Sequence, residues 1–377
     1  MSSPASSADR SLSPSLRVLL ALAAAVVVIA GLSLAREIVG PLALAVVIVI
    51  ICEPARSPLE RRGWPRWLGT TAVIALAYLI LLTMGALLWF AGVQFAGLAR
   101  DFASDGELIG RVQDLIAWLQ SLGLAEEGAD AVASALDPAT LLSIVSTVSG
   151  AVLAVATALF FVFAYIIFMA ADAARYREAP AVFGAVRGRV IGRIAHLNSG
   201  IRRYYVVNAA FGAVVAIVDG LALWWMGVPA PLVWAILAFV TNFIPNIGFV
   251  LGLVPPAILA FVVGDWPLLL AVIAVYSVVN VVLQVLVQPK FVSDAVDLSL
   301  TLSFFSVIFW TFVIGPLGAI LSIPLTLLAR TLVLDPNPDA LWLRWVSGDR
   351  TAVPPPPEPV AVPLRPRRRR RWPWSRR

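Results

Sequence analysis

Two short segments containing Gly, Pro and Asn interrupt long apolar stretches of this sequence, and they are the part best suited to bind a ligand. Residues 242–248 read Asn-Phe-Ile-Pro-Asn-Ile-Gly, and residues 313–318 read Val-Ile-Gly-Pro-Leu-Gly. A proline inside a helix removes a backbone hydrogen bond and kinks or breaks the helix. In secondary transporters, backbone groups freed in this way bind substrate at paired broken helices. The expected chemistry is therefore noncovalent binding of a solute at membrane depth.

The two segments repeat one pattern. The step along the chain from Gly248 to Gly318 equals the step from Ile244 to Ile314, so the segments align at one constant offset. Each segment comes after one ordinary apolar span, so the chain contains two units of span plus broken helix. Ordinary kinking of buried helices explains single prolines well, but it explains the duplication less well. We therefore predict a substrate-binding site formed by Asn242, Pro245, Asn246, Gly248, Gly315, Pro316 and Gly318.

A few other polar residues lie inside the apolar stretches. Asp219 is the only acid within a predicted span. A carboxylate at membrane depth is costly and by default indicates a functional site, so Asp219 is a candidate for ion coupling. A protonated, hydrogen-bonded structural acid, packed closely beside Gly220, explains it equally well. The amides Asn208, Asn280 and Gln284 are expected only to join helices.

Nothing in the sequence is typical of an enzyme. There is no Walker-type phosphate loop, so we expect no ATP hydrolysis by this chain. Cys52 and His196 are the single cysteine and the single histidine. They leave no internal disulfide and no Cys- or His-based metal site. We expect no catalytic residues, no metal and no cofactor.

The composition requires that these residues lie on membrane-spanning helices. Of 377 residues, 60% are hydrophobic and only 13% are charged, whereas a soluble domain has about 25% charged residues. A helix needs about 20 mostly apolar residues to cross a bilayer. We predict an all-α, polytopic integral membrane protein with about six full spans plus two Pro-broken re-entrant hairpins, and eight spans are the alternative. The predicted full spans are 16–35, 39–52, 70–93, 150–171, 204–226 and 267–287, and the predicted hairpins are 232–264 and 300–332.

The remaining segments divide the chain into regions. Residues 94–148 form the one sizeable hydrophilic segment, in which Val112, Leu115, Ile116 and Leu119 recur at the spacing of an amphipathic helix. The predicted regions are a disordered cytoplasmic N-terminus (1–15), three spans (16–93), the extracytoplasmic amphipathic segment (94–148), a fourth span with a basic cytoplasmic connector (149–203), the transport core (204–334) and a Pro/Arg-rich disordered cytoplasmic tail (335–377).

Charge predicts the orientation. The 53–69 loop has four arginines and two acids, and the 172–203 connector has seven arginines and two acids. The positive-inside rule places both in the cytoplasm, together with both termini. Trp224, Trp225, Trp234 and Trp266 are expected to form an aromatic belt near the outer face. The arginine run 367–371 is expected to contact anionic membrane lipid rather than nucleic acid.

The same segments resemble the autoinducer-2 exporter (PerM-like) family. The residues that carry the resemblance are Asn242–Gly248 with Gly252 and Pro255, then Gln288-Pro-Lys, Leu298–Leu302, Gly315-Pro-Leu-Gly and Ile323-Pro. Glu53-Pro, Arg61-Arg-Gly-Trp-Pro-Arg and Phe161–Asp172 extend it, so that it covers about residues 16–334. It implies a bacterial inner-membrane transporter that forms a homo-oligomer, with a pentamer as one expected assembly.

Three functions are consistent with these patterns. The first is export or exchange of a small hydrophilic solute, autoinducer-2-like by the family resemblance, through a site between the two broken segments. The second is exchange of a monovalent cation such as sodium for protons, using Asp219. The third is a membrane scaffold without transport, whose basic tail recruits lipid or protein. The absence of an ATP-binding motif makes any transport either passive or coupled to an ion gradient.

Overall fold

The structure is a computed structural model that describes residues 13–104, 110, 159–173, 175–288, 298–334, 340–349 and 352–353. Every regular element within these ranges is a helix, which confirms the all-α prediction. Among the described residues, five helical stretches have the length and apolar composition needed to cross a membrane. They are Arg36–Arg61, Arg66–Leu98, Ala179–Trp225, Trp266–Val287 and Pro316–Val333. The chain is therefore a multi-pass membrane protein.

The described residues of the N-terminal half form α1 (Pro14–Leu34), α2 (Arg36–Cys52), a 3-10 helix (Glu53–Arg56), α3 (Ser57–Arg61), α4 (Arg66–Ser104) and α5, described over Leu159–Ala173. The Ser13 hydroxyl accepts a hydrogen bond from the Leu16 amide and caps the start of α1. Ala35 alone separates α1 from α2. Side chains of α2, α4 and α5 bury one apolar cluster that includes Ile48, Val73 and Ile166. Most of the predicted amphipathic segment, 94–148, lies outside the described residues.

An ionic network ties the end of α2 to the segments that follow. The guanidinium of Arg56 is almost fully buried, and it donates to the Thr70 hydroxyl and to the Ala170 carbonyl oxygen, both at 2.9 Å. Arg177 forms ion pairs with Glu53, at 2.7 Å, and with Glu60. These contacts connect the predicted 53–69 loop to the predicted basic connector 172–203.

The central helix, α6, is 47 residues long and runs from Ala179 to Trp225. Arg187 interrupts its regular geometry with φ −123° and ψ 16°. The predicted span 204–226 is the apolar C-terminal part of α6. A tight turn follows, in which Gly227 has φ +75° and Ala230 has φ +53°, and Pro231 begins the next helix.

Two helical hairpins follow α6. The first pairs α7 (Pro231–Thr241) with α8 (Gly248–Asn280), and α8 continues as a π-helix over Val281–Val287. Gly252 lies against Ala238, which shows that α8 folds back along α7. α8 is helical through Pro267, but its two apolar stretches, Gly248–Gly264 and Trp266–Val287, divide where the sequence predicted separate segments, 232–264 and 267–287. Asn242 and Gln288 both bond to Asn208, so the chain reverses direction between the two stretches.

The second hairpin pairs α9 (Leu300–Ile314) with α10 (Pro316–Val333). The Ser299 hydroxyl accepts from the Leu302 amide and caps α9. The Trp310 indole donates to the Thr326 hydroxyl at 2.9 Å, which fastens α9 to α10. A short helix, α11 (Leu341–Val346), follows.

The tryptophans predicted to form an aromatic belt differ in exposure. Trp224 and Trp225 are 70% and 85% exposed at the end of α6, as a lipid-facing belt requires. Trp234 is 3% exposed, and its indole donates to the Pro229 carbonyl oxygen at 2.9 Å. Trp234 is therefore a core residue that holds the α6–α7 turn, because the turn folds α7 back and encloses the ring.

Candidate functional site

The first break lies between α7 and α8 and comprises residues 242–247. The helix ends there because Pro245 cannot donate a backbone hydrogen bond. Asn246 then adopts a left-handed conformation with φ +64°, which asparagine tolerates better than most residues. The Gly248 amide donates to the Ile244 carbonyl oxygen at 3.0 Å and starts α8. In this break Asn246 is exposed, whereas Asn242 and Pro245 are half-buried.

The second break is a single residue, Gly315, between α9 and α10. Gly315 has φ +76° and ψ −159°, a conformation that residues other than glycine rarely adopt. Pro316 is the first residue of α10, where its missing N–H leaves no helical hydrogen bond unmade. Gly315 is half-buried and Pro316 is exposed. The pair therefore ends one helix and starts the next at adjacent positions.

The two breaks differ in length but share one feature, a glycine that lies against a backbone oxygen of the preceding helix. A Cβ at Gly248 would overlap the Thr241 carbonyl oxygen, and a Cβ at Gly318 would overlap the Trp310 carbonyl oxygen. Both glycines thus allow the returning helix to lie directly against the helix before it. They are both buried. The constant sequence offset therefore relates two hairpins that are closed in the same way.

The hydrogen bonds of the two hairpins repeat at the same offset. The Thr241 hydroxyl donates to the Leu237 carbonyl oxygen at 2.9 Å, and the Thr311 hydroxyl donates to the Val307 carbonyl oxygen at 2.6 Å. Each threonine is therefore bonded one turn back, just before its break. The repeated bond extends the duplication beyond the Gly and Pro residues from which it was predicted.

An amide cluster, formed by Asn208, Asn242 and Gln288, joins the first break to its neighbours. The Asn242 side-chain amide donates to the Asn208 backbone oxygen at 2.9 Å. The Gln288 side-chain amide donates to the Asn208 side-chain oxygen at 2.6 Å. Gly212 leaves room for this contact, because a Cβ there would lie 2.6 Å from the Asn242 amide nitrogen. The cluster joins α6, the break and the end of the π-helix.

Tyr205 on α6 contacts both hairpins. Its ring stacks on Phe243 of the first break with the ring centroids 6.2 Å apart. Its hydroxyl donates to the Ile320 carbonyl oxygen of α10 at 2.9 Å. Phe243 and the second-hairpin residues Ile314 and Leu317 also belong to one apolar cluster with Tyr205. The sequence patterns did not single out Tyr205, since an aromatic residue in an apolar span gives no indication of its partners.

Asp219 lies away from both breaks, on the part of α6 that packs against α7 and α8. It is 2% exposed, and its Oδ1 has no hydrogen-bond partner within the described part of the chain. Tyr276 of α8 belongs to one buried cluster with Leu223, which lies one helical turn beyond Asp219 on α6. As predicted, Gly220 permits close packing, because a Cβ there would lie 2.8 Å from Ala235 Cβ. No group of three or more His, Cys, Asp or Glu residues that could hold a metal occurs among the described residues.

A cavity of about 510 Å³ lies between α4, α6 and α7. Hydrophobic residues line it, including Leu87, Ile217 and Phe239, and none of the predicted site residues does so. A pocket of this character suits an acyl chain or another apolar surface rather than a hydrophilic solute. It is therefore distinct from the predicted site at the breaks.

Comparisons with known proteins agree with the architecture. The family described as AI-2E family transporter matches residues 22–335. The chain is 28% identical over 323 residues to the AI-2 transport protein TqsA of Escherichia coli K12, which covers 84% of this chain and 91% of that protein. It is 27% identical over 338 residues to a putative transport protein of Haemophilus influenzae, with 88% and 96% covered. The putative transport protein YhhT of Escherichia coli K12 is 27% identical over 319 residues, with 82% and 88% covered. The matched region contains both helix breaks and the helices that hold them, and the chain belongs to the AI-2E transporter family.

Proposed function

We propose that this protein exports or exchanges a small hydrophilic solute across the bacterial inner membrane, through a site at the two helix breaks. The observation that carries the proposal is the duplicated break, in which a closely packed glycine and a threonine hydrogen bond both recur at one sequence offset. The carbonyl oxygens that the two glycines approach, of Thr241 and Trp310, differ from that offset by one residue. Irregular backbone at membrane depth is tolerated only where it is buried in protein or lines a cavity. Paired breaks in two halves of a fold are where secondary transporters bind their substrates.

Tyr205 supports placing both breaks in one site, because its ring and its hydroxyl contact one hairpin each. The residues proposed to contact solute are Asn242, Pro245, Asn246, Gly248, Gly315, Pro316 and Gly318. The E. coli relative is described as a transporter of AI-2, and we propose a solute of this kind, small and rich in hydroxyl groups, for this chain. We further propose that both hairpins are re-entrant, that both termini are cytoplasmic, and that the protein works as a homo-oligomer in contact with membrane lipid.

The test is solute flux by the purified full-length protein in liposomes, with AI-2 as the probe. Pro245→Ala should allow α7 to continue through the first break, and Gly318→Leu should push α10 away from α9. We expect both variants to lose most of the flux per assembled protein, and Gly318→Leu to be less stable than the wild type because its side chain meets the Trp310 carbonyl oxygen. Gly192→Ala is the matched control, because a Cβ at Gly192 meets no atom within 4 Å. Wild-type flux in both break variants would refute the site.

A second candidate function, exchange of a monovalent cation for protons, is favoured by the buried Asp219, whose Oδ1 has no hydrogen-bond partner among the described residues. The same liposomes separate the two functions when a sodium gradient replaces the solute and a pH-sensitive dye is enclosed. Sodium-dependent proton flux without AI-2 flux would favour the exchanger. Neither flux would favour the scaffold.

A further inference from the structure

Three buried oxygens lie on α6 and on the part of α8 that follows Pro267. They are Oδ1 of Asp219, the hydroxyl oxygen of Tyr276 and Oδ1 of Asn280, and each is without a hydrogen-bond partner among the residues that the structure describes. Asp219 and Tyr276 are both 2% exposed. A buried polar atom left unpaired costs about 1–3 kcal/mol. Amides and hydroxyls that only join helices avoid this cost by bonding to one another, so these three groups do not behave as helix-joining residues.

The two helices run antiparallel along a common line. Asn208 of α6 bonds to Gln288 near the end of the π-helix, and Tyr276 packs in one buried cluster with Leu223, one turn beyond Asp219 on α6. These two contacts lie at opposite ends of the paired stretches. The chain therefore runs one way along α6 and the opposite way from Tyr276 to Gln288, over a nearly equal length. We call the polar residues along this line the polar seam. They are Asn208 and Asp219 of α6 and, on the facing segment from Tyr276 to Gln288, the residues Tyr276, Asn280, Gln284 and Gln288.

The facing segment repeats polar residues at a regular interval. Tyr276, Asn280, Gln284 and Gln288 recur at every fourth position, which places them on one face of the helix. The segment from Val281 to Val287 is π-helical, with a wider turn that keeps residues four to five apart nearly in line. Single-turn π-helical insertions occur frequently at functional sites. The seam therefore extends from Asp219 to the amide cluster at the first break.

The chemistry of the unpaired atoms indicates what they bind. A carboxylate oxygen and an amide oxygen are acceptors, and a phenol oxygen can also accept, so the natural partner of the set is a cation. Oxygen atoms are the ligands that hard metal cations prefer. One carboxylate balances a single positive charge. A divalent ion would leave a net charge at membrane depth, where charge is costly. Helix α7, which packs on the same part of α6, has no charged or titratable residue to add.

We propose that Asp219, Tyr276 and Asn280 bind one monovalent cation, sodium or potassium, and that the rest of the polar seam leads from this site to the first break. This inference rests on the proposed function only for the role of the bound cation, which is to couple cation movement to solute movement. The binding itself needs no solute. The seam passes beside Asn242, which belongs to the predicted solute site, so the two sites share the amide cluster.

The experiment measures cation binding by the full-length protein in detergent without solute. Radioactive sodium binding and thermal unfolding are followed in sodium, potassium or choline chloride at constant ionic strength. We expect sodium or potassium, but not choline, to raise the melting temperature of the wild type. Asp219→Asn should abolish this response. Tyr276→Phe should weaken the affinity for the bound cation about tenfold, which corresponds to about 1.4 kcal/mol of binding free energy.

Ser306→Ala is the matched control. Ser306 is as buried as Asp219, but its hydroxyl donates to the Ser303 carbonyl oxygen at 2.7 Å, outside the seam. This variant should keep the wild-type cation response. The proposal would be overturned if sodium and potassium do not raise the melting temperature of the wild type, or if Tyr276→Phe binds the cation as tightly as the wild type does. Tyr276→Phe preserves the shape of the core, so it remains informative if Asp219→Asn does not fold. Failure of AI-2 flux with intact cation binding would refute the proposed function alone.

Discussion

The hydroxyl of Tyr205 donates a hydrogen bond to the carbonyl oxygen of Ile320, at 2.9 Å. In a regular helix that oxygen would accept from the residue four positions on, and here that residue is Pro324, which has no N–H. Tyr205 therefore satisfies the one backbone acceptor that Pro324 leaves without a helical donor. The bond holds α6 to the second hairpin while the Tyr205 ring stacks on the first.

We expect Tyr205→Phe to lower the free energy of unfolding by about 1–2 kcal/mol, because it leaves the half-buried Ile320 carbonyl oxygen without a donor. Tyr78→Phe is the matched control. The Tyr78 hydroxyl donates to the Phe163 carbonyl oxygen at 3.0 Å, and that oxygen keeps its helical donor within α5. The control should cost about 0.6 kcal/mol, the average for such bonds in membranes. Denaturant unfolding in detergent measures both values, and equal costs would contradict the role given to Pro324.

The glycines at the two breaks should not tolerate a methyl group. Gly248→Ala and Gly318→Ala each force a Cβ against a backbone oxygen of the preceding helix, so we expect each to destabilise the protein by about 1–3 kcal/mol. Gly192→Ala, in open surroundings within α6, should stabilise it by up to about 1 kcal/mol through helix propensity. Thermal unfolding of the three variants in one detergent checks this. Neutral behaviour at Gly248 and Gly318 would show that the hairpins are not closed as described.

Two arginines close together in space should differ in importance. Arg177 contacts Glu53, Glu60 and the Ser57 hydroxyl. Arg66 pairs with Glu178, and both partners are largely exposed. An exposed pair contributes about 0–1 kcal/mol, whereas a network contributes more. We therefore expect a clear loss of melting temperature for Arg177→Gln and almost none for Arg66→Gln. A loss of equal size in both would indicate a general charge effect.

The proposed re-entrant hairpins predict that residues 290–297, which lie outside the described residues, face the cytoplasm. Eight plain spans would place them outside. In intact cells, a membrane-impermeant thiol reagent should therefore not modify Ser293→Cys. Trp225→Cys, at the predicted outer end of α6, should react readily, and Arg61→Cys should react only after permeabilisation. Ready modification of Ser293→Cys in intact cells would require the eight-span topology. Native Cys52 is fully buried and should not interfere.

The sequence alone determined the class of the protein and the positions of its breaks. Uncharged apolar runs of about 20 residues have the length of a membrane-spanning helix rather than of a membrane strand, and Pro and Gly act on the backbone within one turn of their own position. Effects of this kind are local, so the breaks at 242–247 and at Gly315 could be predicted from the residues there. The regular spacing of Tyr276, Asn280, Gln284 and Gln288 was also readable in the sequence, although Asn280 and Gln284 were interpreted only as helix-joining residues.

The tertiary structure decided which residues meet. Tyr205 and Ile320 are 115 residues apart in the chain, and Asn208 and Gln288 are 80 apart. Periodicity shows which side chains share a face of one helix, but not which helix that face contacts. In a chain that is apolar almost everywhere, hydrophobicity does not distinguish a lipid-facing side from a core-facing side. Only the packing of α6 between the two hairpins placed Tyr205 against the carbonyl freed by Pro324 and enclosed Trp234 in the core. The same packing buried the oxygens of the polar seam at Asp219 without a hydrogen-bond partner in the described part of the chain.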